Sequence, residues 1–307
     1  MVLGMMNLNE LLEQFPNEKA CKDYLVARRW PSGTVACPRC QSTEKIYKVA
    51  SRGPWRWICK SCNKSGYGFS PTTGTVFEDT KYPLRTWFIV AFLMLHSKKG
   101  MSARQIHRTV FKKTTSYETV WYMCTRIRAA MMNDEFGKLT GTVEMDETYI
   151  GGKDSNRHRG KKVGKRGGGR GLFHGGKVGV IGAIARKGNV TAQVIERLDV
   201  PTVSRFVRET VSPAVSLVAT DDCHIYDGVQ WGLFHPHQSV DHSKGEYVRG
   251  QVHTANLDQF WSLLKRGIMG SFHHVSKKYL PFYINEFTFR HNHRKDEDMF
   301  GLLIAGC

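Results

Sequence analysis

The sequence has no long apolar run. The longest, Trp87 to Leu95, is nine residues, less than half of the roughly 20 that a helix needs to cross a bilayer, so no membrane partner is expected. The opening residues, MVLGMMNLNELLEQF, lack a basic start and meet acids early, which is unlike a secretory leader. Acidic residues are few: 27 Asp and Glu stand against 45 Lys and Arg, for a net charge of +18. That balance disfavours a cationic partner, and without a basic amphipathic anchor it points to nucleic acid. Cysteine is sparse as well. Four of the eight form two CxxC pairs, and Cys21, Cys124, Cys223 and Cys307 are scattered. That distribution is not a disulfide framework and fits a reducing cytosol.

What is present is patterned. In HTANLDQFWSLLKRGIMG, His253 to Gly270, the apolar residues Leu257, Phe260, Trp261, Leu264 and Ile268 recur at helical spacing and define one buried side. Asp258 and Lys265 lie beside that stripe, about two turns apart and within roughly 20° of one line. Upstream, Val143 and Met145 alternate with Glu144 and Asp146 in GTVEMDETYIGG, a half-buried strand closed by Gly151 and Gly152. In VSLVATDD, Val215, Leu217 and Ala219 alternate ahead of Asp221 and Asp222. Two carboxylates at strand ends and a third on a later helix can converge on divalent metal. Oxygen-only donors suit Mg²⁺ or Mn²⁺ and two-metal chemistry at phosphate.

Nearer the N-terminus, Cys37-Pro-Arg-Cys40 and Cys59-Lys-Ser-Cys62 make a C-x2-C-x18-C-x2-C pattern. Four thiolates close a tetrahedral Zn²⁺ site and leave no open position for catalysis, so this metal is structural. The stretch between the pairs predicts a hairpin with Gly53-Pro54 at its turn, and Asn9 to Trp30 predicts short helices that brace it. Pro83 to Met132 is expected to be helical, with Leu84 to His96 apolar nearly all round. Ser102 to Gln105 and Thr115 to Glu118 each read as a capping box opening a helix. The second of these helices carries Val120, Trp121, Cys124 and Ile127 on one face, with Arg126 elsewhere as a candidate DNA contact. A DNA-reading helix-turn-helix and an ordinary helical hairpin both fit.

Residues 151–177 hold nine Lys or Arg against one acid, with repeated glycines. Such a segment cannot form a core, and Lys161, Lys162, Lys165 and Arg166 could clamp phosphates beside Asp146. Arg266, next to Lys265, is a further candidate contact. Two strands, Lys177 to Ile184 and Val190 to Ile195, are expected around Lys187-Gly188-Asn189, followed by a helix, Val200 to Val211, and a strand, Val215 to Ala219. The stretch 223–252 is poorly patterned, and its four histidines read as surface or core residues rather than a second metal site. A helical run over 275–290 leads to Arg290, His291, His293 and Arg294.

MDETYIGGK, ATDD, NLDQFWSLLKRG and NEFTFRHNHR, in that order, resemble the DDE transposases of bacterial insertion sequences, and most closely the ISXO-like branch with an N-terminal zinc ribbon. The resemblance runs from about Leu11 to Arg294. It implies an α/β chain with an RNase H-like catalytic domain at 138–307, preceded by a helix and zinc ribbon at 1–78 and a small helix-turn-helix-like domain at 79–137. It implies that Asp146, Asp221 and Asp258 hold catalytic Mg²⁺ or Mn²⁺, and that Lys265 steadies phosphate or terminal base pairs. Many relatives carry Glu where this chain has Asp258, and Asn where it has Ala255, so Asn256 stands as an alternative third ligand. The implied partners are double-stranded DNA, as element ends and target, and further copies of the chain on that DNA. The implied compartment is the bacterial cytoplasm, at the nucleoid. A zinc-ribbon DNA-binding regulator, a structure-specific nuclease and a catalytically decayed transposase are the competing readings.

Overall fold

The computed structural model describes residues 6–132, 137–152, 177–229, 231, 236–240, 248–250 and 252–307. They form two units, one of Met1–Asp134 with His293–Cys307, the other of Glu135–Asn292. Among the described residues no helix is long and apolar enough to cross a membrane.

In the first unit, α1 (Leu8–Gln14) and α2 (Glu18–Arg29) are each capped by an asparagine, Asn7 and Asn17, whose side chains accept amides of the first turn. Three short antiparallel strands follow, β1 (Ile46–Lys48), β2 (Trp57–Cys59) and β3 (Tyr67–Phe69). The expected hairpin is β1–β2, and Gly53 takes φ +100 at its turn, a value that suits glycine. β3 was not legible, because three residues cannot establish an alternation. Trp30, Trp57 and Phe69 make a small core with Val26 of α2 against it, so the N-terminal helices do brace the ribbon.

α3 (Leu84–His96), α4 (Ala103–Val110) and α5 (Tyr117–Ala130) come next. Ser102 caps α4 through the Gln105 amide, as its capping box predicts. The cap of α5 is Ser116, which takes the Thr119 amide, one residue later than the expected Thr115. Thr115 is otherwise engaged: its hydroxyl accepts from Tyr82 Oη and its carbonyl bonds His107 Nε2.

The second unit is built on a five-stranded sheet. β4 (Leu139–Ile150), β5 (Val178–Ala185) and β6 (Val190–Ile195) are antiparallel neighbours. α6 (Val200–Thr210), capped by Asp199, returns the chain to β7 (Val211–Asp221), which lies parallel to β4. After α7 (His224–Asp227), β8 (His237–Val240) pairs in parallel with β7, giving the order β6-β5-β4-β7-β8. α8 (Ala255–Gly267), a π-helical segment (Ile268–Phe272) and α9 (Leu280–Asn292) complete it. Two features differ from expectation. β7 begins before Val215 and includes Pro213, and β8 arises within a stretch read as unpatterned, because four residues of HQSV carry little strand signal.

β4 is central and two-faced. Val143 and Met145 pack with Val203, Phe206 and Val207 of α6, whereas Ile150 packs with Leu257, Phe260, Trp261 and Leu264 of α8. Strand alternation therefore turns Glu144 and Asp146 toward α8. The last helix, α10 (Met299–Gly306), belongs to the first unit. Its Phe300 ring packs on Phe15 and Phe88 there, at 5.8 and 5.4 Å between centroids. The expected catalytic domain, 138–307, thus gives up its last residues to the N-terminal unit, where aromatic side chains await them.

Candidate active site and metal centres

The four ribbon cysteines meet as their spacing predicts. Cys37, Cys40, Cys59 and Cys62 place their sulfurs within 4.8 Å of one another. Cys37 and Cys62 are 4.0 Å apart, Cys40 and Cys59 3.7 Å, and Cys59 and Cys62 3.8 Å. A tetrahedron with arms of about 2.3 Å has edges of about 3.8 Å, so the donor set fits Zn²⁺.

The second centre is acidic. Glu144 pairs with Ala219 across β4 and β7, and two more residues along each parallel strand bring Asp146 level with Asp221. Carboxylate oxygens of Asp146, Glu147 and Asp221 all lie within 4.8 Å of one another. Glu147 was not anticipated. It sits on the other face of β4, and its Oε2 accepts from the buried Tyr226 hydroxyl at 2.9 Å. Burial first, then the charges of Glu147, Asp221 and Asp258, push the Asp146 carboxyl up to about 8. Glu147 is raised in the same direction, by burial and then by Asp221.

Asp258 lies on the first turn of α8, exposed, with its Oδ2 accepting from Thr254 Oγ1 at 3.2 Å. It stands outside the 4.8 Å group, although its charge is felt at Asp146. One turn on, Trp261 Nε1 donates to Asp146 Oδ2 at 3.0 Å. The indole fits because Gly182 faces Asp146 across β4–β5, and a Cβ there would lie 2.6 Å from the ring. Asn256 engages a different acid: its side-chain amide donates to Glu144 Oε1 at 2.7 Å. Glu144 itself is fully buried and makes a 2.9 Å ion pair with Arg186 Nε. Trp261 and Glu144 had read only as a core residue and as the polar member of an alternating strand.

Among the candidate DNA contacts, Lys161, Lys162, Lys165 and Arg166 lie outside the described residues. Lys265 and Arg266 are exposed on the last turn of α8. Arg126 is turned inward: its guanidinium donates to the carbonyls of Glu78 and Thr75, at 3.1 and 3.3 Å, and rests against the Trp87 ring. It braces its own unit, because those carbonyls and that ring take up its donors and its flat face. The outward residues of α5 are Glu118 and Tyr122, whereas α4 turns Arg104, Gln105, Arg108 and Thr109 to solvent. His237 bonds Thr220 Oγ1 at 2.8 Å and stacks on Trp231, a packing role as expected.

With this geometry in hand, the comparisons with known proteins are specific. Residues 138–292 match the family described as ISXO2-like transposase domain, and residues 16–65 match the transposase zinc-ribbon domain. A protein of Halobacterium salinarum, described as an uncharacterized protein in transposable element ISH50, is 29% identical over 283 residues, covering 91% of this chain and 92% of its own length.

Proposed function

The chain belongs to the ISXO2-like transposase family, and on that premise we propose that it binds the ends of its mobile element, cuts them, and joins the freed 3′-hydroxyls to target DNA. One observation carries this reading: Asp146, within β4 rather than at its end, and Asp221, the last residue of the adjacent parallel strand β7, meet with Glu147 beside them. The order β6-β5-β4-β7-β8, with the first three strands antiparallel and the last two parallel to β4, supports an RNase H-like assignment. A DNA-binding regulator would have no use for converging acids.

The donors fit Mg²⁺ or Mn²⁺, since all are carboxylate oxygens. The proton that Asp146 retains up to about pH 8 reflects buried like charges that a divalent cation would relieve. Asp146, Glu147 and Asp221 would hold the ions, and Asp258 would close the site from α8. Bound there, the ions supply positive charge for in-line displacement at phosphorus. The protein does the positioning. Trp261 holds one oxygen of Asp146, and Tyr226 holds one of Glu147, so neither carboxyl turns away from the shared centre. Lys265, about two turns beyond Asp258, steadies a DNA phosphate, and Arg266 and the basic segment at Lys161, Lys162, Lys165 and Arg166 add to the grip. Copies of the chain assemble on the DNA so that two ends are held together.

The test is a duplex bearing an element end, incubated with the protein and Mg²⁺. Nicked and joined products are expected, and Asp146→Asn or Asp221→Asn should each abolish both while end binding stays within about twofold. A wild-type protein that binds ends but never cuts them would overturn the enzymatic reading.

A further inference from the structure

The start of α8 is held by a residue that the reaction above does not use. A helix leaves its first amides without partners inside the helix, and a Ser, Thr, Asp or Asn just ahead of it normally covers one. Thr254 occupies that place and makes no cap bond, its hydroxyl turning to Asp258 instead. The cover comes from another element. Glu144 Oε2, on β4, accepts the amides of Asn256 at 2.8 Å and Leu257 at 3.2 Å. Its Oε1 accepts from the Asn256 side chain at 2.7 Å, from Arg186 at 2.9 Å, and lies 3.2 Å from His253 Nδ1. The carboxyl is 0% exposed and is placed at the positive end of the helix dipole.

The geometry points to Glu144 as a positioning residue: a helix cap supplied from β4 that sets α8, and with it Asp258 and Trp261, against Asp146. Asp146 is two residues further along the same face of the strand, and the Trp261 indole bonds it. Two strand residues span about 6.7 Å, and the five helix residues from Asn256 to Trp261 span about 7.5 Å. The two pins therefore run in step, one fixing the height of α8 and the other its rotation. A helix start tied to the strand that bears the first acid needs no capping side chain of its own, which accounts for Thr254 making no cap bond. The catalytic consequence rests on the transposase reading; the clamp itself does not.

The experiment uses the full-length chain carrying Glu144→Gln, which keeps the shape but sets an amide against Arg186 and the two helix amides. Hydrogen exchange over residues 254–260 should quicken at least tenfold while β5 and β6 stay within twofold of wild type. Cleavage at saturating DNA should fall at least tenfold with DNA affinity within twofold. If Glu144→Gln fails to fold, Asn256→Asp sets a second carboxyl against Glu144 Oε1 from the helix surface, and should show the same pair of changes. Unchanged exchange over 254–260, or full cleavage by either variant, would overturn the inference. Enhanced cleavage by Asn256→Asp would do so too, and would return Asn256 to the list of metal ligands. A wild-type protein that never cuts DNA would remove the transposase reading, while the exchange measurement still decides the clamp.

Discussion

At the scale of single residues, charge crowding is what the acidic centre has to manage. Asp146 is raised from 3.8 to about 8, chiefly by burial and then by three neighbouring acids. A carboxyl raised in this way keeps its proton in the metal-free protein at neutral pH, and an incoming ion must displace it. The sign follows: apparent Mn²⁺ or Mg²⁺ affinity should rise with pH, by up to about tenfold per unit between roughly pH 6 and 8, and flatten above. Titration of metal against pH checks this, with Asp146→Asn as the control that loses both the slope and most of the affinity. A flat profile in the wild type would mean that Asp146 is not the ligand that gives up the proton. Asp146 and Asp221 were legible in the sequence because each follows an alternating apolar run, although β4 continues four residues past Asp146, to Ile150. Glu147 was not, since a Glu following an Asp within a strand carries no signal until Tyr226 is seen to hold it.

At the scale of elements, the exposed basic side chains lie on α4 rather than on α5. The second helix of a helix-turn-helix usually reads DNA, but on α5 only Glu118 and Tyr122 are fully exposed. The shorter α4 offers Arg104 and Arg108 one turn apart, with the Arg104 guanidinium held 4.5 Å from the Tyr117 ring. If this unit contacts DNA through α4, Arg104→Ala with Arg108→Ala should lower the salt dependence of binding by about two counterions' worth of slope. Arg126→Ala should instead cost stability, about 1–3 kcal/mol, through the two carbonyls and the ring it leaves. Binding titrations at several salt concentrations and thermal unfolding separate the two; a salt slope reduced by Arg126→Ala alone would reverse the assignment. Helical periodicity had placed α4 and α5 correctly, and only the packing of their faces showed which one is free to meet a partner.

At the scale of the whole molecule, the C-terminal helix is a structural part of the N-terminal unit. Phe300, Leu303 and Ile304 are buried, Arg28 is ion-paired with Asp298, and the Val76 amide donates to the Cys307 carbonyl at 3.0 Å. Removing residues 299–307 should uncover Phe15 and Phe88 and cost several kcal/mol, as truncating buried aromatic contacts does. Circular dichroism and thermal unfolding of the truncated chain check this, and a melt unchanged from wild type would show that α10 contributes nothing. By itself the sequence determined what its local spacing encodes. Two CxxC pairs specify a zinc ribbon, alternation ending in an acid specifies a strand that delivers a carboxylate, and a 3.6-residue stripe specifies α8. Tertiary structure alone decided what depends on partners remote along the chain. It set Glu144 under the start of α8, stood Asp258 outside the closest group of acids, turned Arg126 inward, and sent α10 to the first unit. Asp258 is exposed, and the other three share a physical reason. A buried charge or an apolar face must find its complement wherever packing places it, and nothing in the residues beside it in sequence records where that is.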